Sequence, residues 1–263
     1  MFLLILLLLL PGALAPKAEA ALVIEPAWIQ QKLTQKRISG VFYLRNVGAQ
    51  EERYRATAVH FIVNEKGSLQ VLPPDDRSLA KWIKFNPTEF VLPPKSSRMV
   101  RYSIIPQGKL KDREYWCAIQ FVPLKGQKVT SKDKDGRDLK LEVLSVILVP
   151  IYGLVEGTKF SGEFTSLEAK QDKDDLAMLF KIKNTNEGVL RLSGTCQIMD
   201  SAGKMVKEVP VKNVAVFPKI ERSNAVHIQE KLAPGKYTAK IILHNKEEKI
   251  SLSRETSFIY EKK

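Results

Sequence analysis

Apolar and polar residues alternate with a period of two along most of this chain of 263 residues. Nine segments carry the pattern most clearly: GVFYLRN (40–46), RATAVHFIVN (55–64), SRMVRYSII (97–105), EYWCAIQFV (114–122), LKLEVLSVILV (139–149), LAMLFKIKN (176–184), LRLSGTCQIMD (190–200), KYTAKIILHN (236–245) and SLSRETSFIY (251–260). Period two in runs rich in Val, Ile, Thr and aromatics predicts half-buried β-strands. Turn chemistry separates them at NEKG (64–67), LPPDD (72–76), LPPK (92–95), DKDG (133–136), DSAG (200–203) and APGK (233–236). No segment carries a long apolar stripe of period 3.6. Many short strands joined by turns predict an all-β protein built of antiparallel sandwiches. Pro150, Gly153 and Gly157 interrupt the pattern, which restarts at Phe160, so two sandwiches are expected over 21–154 and 155–263.

The stretch LKLEVLSVILVP (139–150) is the most informative. Leu139, Leu141 and Val143 alternate with Lys140 and Glu142, whereas Leu144–Val149 is apolar throughout except for Ser145. The second half suits a strand covered on both faces at a domain junction. For the first half two readings stand: the three apolar residues line their own sandwich, or they form an open edge completed by another chain. An unpaired edge exposes a row of backbone N–H and C=O groups, and a strand added from a partner would satisfy them.

Residues 2–10 form an unbroken apolar run, followed by Pro11, Gly12 and small residues ending Ala18-Glu19-Ala20. A run this short before an A-x-A site reads as a secretory signal over residues 1–20, with Ala13-Leu14-Ala15 a second cleavage candidate. The expected product is exported, without stable membrane insertion. Net charge is +13, but the lysines and arginines are scattered and cluster on no single element, which argues against nucleic acid. Cys117 and Cys196 both sit mid-strand and are expected as two separate buried thiols. His60, His227 and His244 lie far apart in sequence, so no metal site is expected. DKDGRD (133–138) resembles a calcium loop only faintly, since Leu144 stands where the closing Glu belongs. Nucleophile-elbow, zinc-protease and phosphate-loop motifs are missing from the sequence. No cofactor and no enzymatic activity are expected.

The run from Trp82 to Leu124 resembles the first domain of the periplasmic pilus-assembly chaperones of the PapD-like group. The resemblance rests on Phe85, Pro87, Leu92, Pro94, Val100 and Arg101, then Asp112-Arg113-Glu114, the aromatic strand Tyr115–Phe121 and Pro123, with Asn46 closing an earlier strand. It implies two tandem immunoglobulin-like β-sandwiches in the periplasm. It also implies binding of exported pilus or fimbrial subunits, and contact with an outer-membrane assembly platform. The donor strand would be residues 139–149, with Leu139, Leu141, Val143 and Ile147 as subunit-binding residues and the basic segment 125–138 as the loop before it. Family members anchor the subunit's terminal carboxylate with an Arg and a Lys in the interdomain cleft; here Trp28 and Val149 stand at those places. Lys32 is the candidate substitute. The family's interdomain Arg is also missing from Tyr152-Gly153-Leu154. Two functions therefore stand on the sequence: a strand-donating chaperone, or a structural or adhesive surface component of the same fold, and the 139–149 edge discriminates them.

Overall fold

The computed structural model describes residues 22–132, 134–135, 137–172, 175–229 and 232–261, with the backbone alone at 127–129, 131 and 141. The expected signal, residues 1–20, lies outside the described residues, as do two positions of the 133–138 turn. The chain is all-β, and no described residue is helical.

The first sandwich is built from β1 (Leu22–Glu25), β2 (Ile29–Lys32), β3 (Ile38–Asn46), β4 (Glu52–Val63), β5 (Leu69–Leu72), β6 (Ile83–Asn86), β7 (Glu89–Leu92), β8 (Ser97–Ile104) and β9 (Glu114–Pro123). It is completed by β12 (Ile147–Leu154), after an intervening pair β10 (Gln127–Lys132) and β11 (Asp138–Val143). One sheet runs β1-β3-β8-β6, the other β2-β12-β9-β4-β5 with β7 also on β4. The first strand changes sheet at Pro26: β1 is antiparallel to β3, while β2 lies parallel to β12. A proline supplies no N–H to a ladder, so pairing breaks there and can resume on the opposite sheet.

Alternation decides which residues fill the core between the sheets. On β9, Tyr115, Cys117, Ile119 and Phe121 point inward, meeting Phe42, Leu44, Val100 and Ile104. Phe42 and Phe121 pack edge to face with ring centroids 5.9 Å apart, a favoured aromatic geometry. The opposite face of β9, with Trp116 and Ala118, is equally buried because the second sandwich covers it.

That second sandwich comprises β13 (Gly162–Asp172), β14 (Asp175–Asn184), β15 (Leu190–Asp200), β16 (Met205–Val216), β17 (Glu221–Ile228), β18 (Gly235–Asn245) and β19 (Ile250–Tyr260). Its sheets are β13-β14-β17 and β16-β15-β18-β19, the three-plus-four division of an immunoglobulin-like fold. Gly194 is required where β15 shifts register against β16, since a Cβ there would stand 1.8 Å from the Ile242 carbonyl oxygen. The open edges of β13 and β19 are blunted by side chains. The Gln171 amide donates to the Glu261 carbonyl at 2.6 Å and accepts from its N–H at 3.2 Å. Cys117 and Cys196 are free and lie in different cores; burial pushes both thiols up, that of Cys196 to about 11.

Candidate functional site: an open strand edge and the cleft it leads to

The expectation of one strand over 139–149 is corrected by the structure. The segment is two strands, β11 and β12, separated by Leu144–Val146, and only β12 belongs to the sandwich. The basic stretch read as a loop contains β10, which pairs antiparallel with β11 from Gln127↔Val143 to Lys132↔Asp138. The β9–β12 hairpin thus continues beyond the sandwich as a two-stranded ribbon. Period-two patterning survives the break because the three linking residues carry no Gly or Pro to mark it.

Leu139 and Val143 are exposed by 43% and 46%, and neither joins a core cluster. Leu144 and Val146, in the link, are exposed by 52% and 37%. Leu141 occupies the register position opposite Val129. Ile147 differs from the other expected contact residues: it is partly buried against the first core. β11 has β10 as its single strand partner among the described residues. β12 is covered on its outer side by β2 only from Ile151 to Leu154. Among the described residues the outer edge from Asp138 to Pro150 is therefore open.

The edge leads into a cleft between the sandwiches, shaped by a tightly packed interface. Phe61, Trp116 and Tyr152 of the first sandwich bury against Val189 and Phe217 of the second. Glu114 is fully buried; its carboxylate accepts from the Val189 N–H at 2.7 Å and from Arg191 at 2.7 Å. The Arg191 guanidinium lies 4.1 Å over the Tyr152 ring, a cation–π contact that fixes its plane. Arg77 pairs with Glu187 across the same boundary, and the Ser223 N–H donates to the Glu65 carbonyl at 2.8 Å. Sequence reasoning missed Arg191, the cation of the second sandwich that pairs with Glu114 across this boundary. Nothing local in LRLSGTC signals this, because its partner lies 77 residues away.

Lys32 and Trp28 sit at the cleft mouth with Glu156 and Glu247. The Lys32 ammonium bonds the Glu156 carboxylate at 2.6 Å, and this hydrogen bond holds that carboxyl below its ordinary range. Both partners of this ion pair are largely exposed to solvent, where such pairs are weak. Val149 is buried in the first core and does not reach the cleft, whereas Trp28 remains 53% exposed beside it. Deeper in, Glu248 is raised to about 7, first by burial and then by Glu114 and Glu247, against the opposing pull of Arg191. Among the described residues no cluster of His, Cys, Asp and Glu is arranged to hold a metal ion.

No protein-family model and no curated protein sequence matches the chain. Its course is similar to solved structures of fimbrial chaperones. A chain of the CsuC–CsuE chaperone–tip adhesion subunit pre-assembly complex of Acinetobacter baumannii is 12% identical, with 89% of this chain and 98% of that one covered and a TM-score of 0.46. The E. coli chaperone DraB is 14% identical, covering 92% and 96%, with a TM-score of 0.42. The Pseudomonas aeruginosa CupB2 chaperone is 9% identical, covering 89% and 98%, with a TM-score of 0.45.

Proposed function

We propose that this chain is a periplasmic chaperone that binds an exported subunit of pilus or fimbrial type by β-strand addition, using the open edge from Asp138 to Pro150. On this reading residues 1–20 are the export signal and the two sandwiches divide at 154/155. Leu139, Leu141 and Val143 are the contact residues of the added pair, with Ile147 at its base. An outer-membrane assembly platform is the acceptor that would later take the subunit.

The observation that carries the proposal is the β10–β11 ribbon. A two-stranded ribbon is marginal in water on its own; a third strand, or a cover for its apolar face, is what makes such an element stable. Here no described residue pairs with the outer side of β11, and Leu139 and Val143 are exposed. A subunit that contributes a strand satisfies the backbone groups and buries the apolar residues, each contributing roughly 1.5–3 kcal/mol before ordering costs are subtracted. The same pairing hides the subunit's own aggregation-prone groove. Strand addition is assembled from backbone hydrogen bonds and apolar burial, so it requires neither nucleotide nor metal.

Native mass spectrometry of the mature protein, isolated gently from its host envelope, tests this beside Leu139→Asp and Val143→Asp variants. The expected result is a complex with a small exported protein that both variants lose while their circular dichroism is unchanged. Wild type found only as monomer or homopolymer, unaltered by either substitution, would reject the proposal in favour of a structural surface component.

A further inference from the structure

We infer that the cleft beside Trp28 takes a large apolar side chain from the end of the added strand, and that Trp28 selects for it; this rests on the strand-addition reading above.

The topology fixes where an added strand must stop. β2 begins its parallel pairing with β12 at Ile29↔Ile151, so the outer edge is open up to Pro150 and closed beyond it. Trp28, the residue before β2, stands at that junction. A strand laid along Asp138–Pro150 thus has one of its ends against Trp28. Immediately there, a cavity of about 470 Å³ opens between the sandwiches, walled by Trp28, Pro150 and Tyr152 on one side and Leu192, Val214 and Ala215 on the other. Its volume and mostly apolar lining suit an aromatic or branched aliphatic group.

Charge does not compete for this end. The two cations of the cleft are both engaged: Lys32 by Glu156 at 2.6 Å and Arg191 by Glu114 at 2.7 Å. Arg191 is further held over Tyr152. An incoming carboxylate would have to share Lys32 with Glu156 or Arg191 with Glu114, whereas an apolar ring meets a lining that is mostly apolar, with Arg191, Ser193 and Asn213 as its polar members. Selectivity then comes from the area buried against the indole.

The test uses the folded mature protein and four probes that do not need the ribbon: N-acetyl-phenylalanine amide, N-acetyl-alanine amide, N-acetyl-alanine with a free carboxylate, and N-acetyl-arginine amide. Binding is followed through the tryptophan indole N–H signals by NMR. Burying a phenyl ring in place of a methyl group should make the phenylalanine amide bind at least about tenfold more tightly than the alanine amide. Trp28→Ala should abolish the preference and Trp28→Phe restore most of it. Tighter binding of the free carboxylate than of its amide would overturn the inference in favour of a charged anchor. Tighter binding of the arginine amide would overturn it in favour of Glu156 and Glu247 as the receptor, and no phenylalanine preference would overturn it outright. Because these probes form no strand, their failure leaves the edge reading to its own mass-spectrometric test.

Discussion

Glu248 looks in sequence like one of four charges in a surface turn, yet its surroundings make it the most perturbed carboxyl at the interface. Asn245 donates to it at 3.0 Å, but burial and two neighbouring carboxylates raise it from 4.5 to about 7. The folded protein therefore holds a proton that the unfolded chain releases above pH 4.5. Linkage gives the sign: this group's contribution is fully present below about pH 4.5 and is lost as pH rises through about 7. Glu248→Gln keeps the uncharged shape at every pH. The variant should match wild type near pH 4 and exceed it at pH 8 by roughly 2–6 °C in Tm, as one or two kcal/mol shifts a chain of this size. Thermal melts of both proteins across pH 4–9 check this, and parallel curves would show that Glu248 is charged at no cost. The pair Glu114 and Arg191 makes the same point about residues: each is ordinary in its own segment, and only the fold brings them together.

At the scale of elements, eight of the nine segments read from alternation are single strands of the structure, β3, β4, β8, β9, β14, β15, β18 and β19, because eight or more residues give several repeats of the pattern. The four-residue strands β1, β2, β5, β6 and β7 were not legible, since so few residues carry too few alternations. β13, β16 and β17 were hidden by charged or polar residues exposed at edge positions, and β10 by a sequence, QKVTSK, in which polar residues outnumber apolar ones. The break between β11 and β12 was hidden for the opposite reason, apolar residues filling a link that is not a strand. This division makes a testable claim about independence. No residue of β10 or β11 joins a described core cluster, so replacing residues 127–143 with an Asn-Gly turn should leave the sandwich intact. Gly126 and Leu144 flank the paired ends Gln127 and Val143, and Asn-Gly suits a two-residue hairpin. The shortened protein should melt within about 3 °C of wild type, a difference under roughly 1 kcal/mol, and lose subunit binding. Failure to fold on differential scanning calorimetry would show that the ribbon is part of the sandwich's stability.

The whole molecule works as a pair of sandwiches held at a fixed angle, and one side chain tests how firmly. Phe217, in the turn after β16, is 1% exposed. It packs edge to face on Trp116 at 5.1 Å and on Phe61 at 5.6 Å, while the Trp116 indole N–H donates to the Phe61 carbonyl at 2.7 Å. Removing a buried phenyl ring costs about 3–5 kcal/mol when the site cannot collapse. Here the loss falls on the contact between two bodies that each have their own core. Phe217→Ala should therefore do more than lower Tm: it should split one calorimetric transition into two, with a calorimetric enthalpy exceeding the van't Hoff value. A single transition weakened by under about 1 kcal/mol would mean that the charged contacts at Glu114 and Glu187 hold the sandwiches together without it. The cleft gives the same experiment a functional reading. Phe217 does not line the cavity, but Tyr152 belongs both to its wall and to the Phe217 cluster. A cavity with walls on two bodies keeps its width only while their angle is fixed. Phe217→Ala should accordingly weaken binding of N-acetyl-phenylalanine amide several-fold although it removes no contact with the probe.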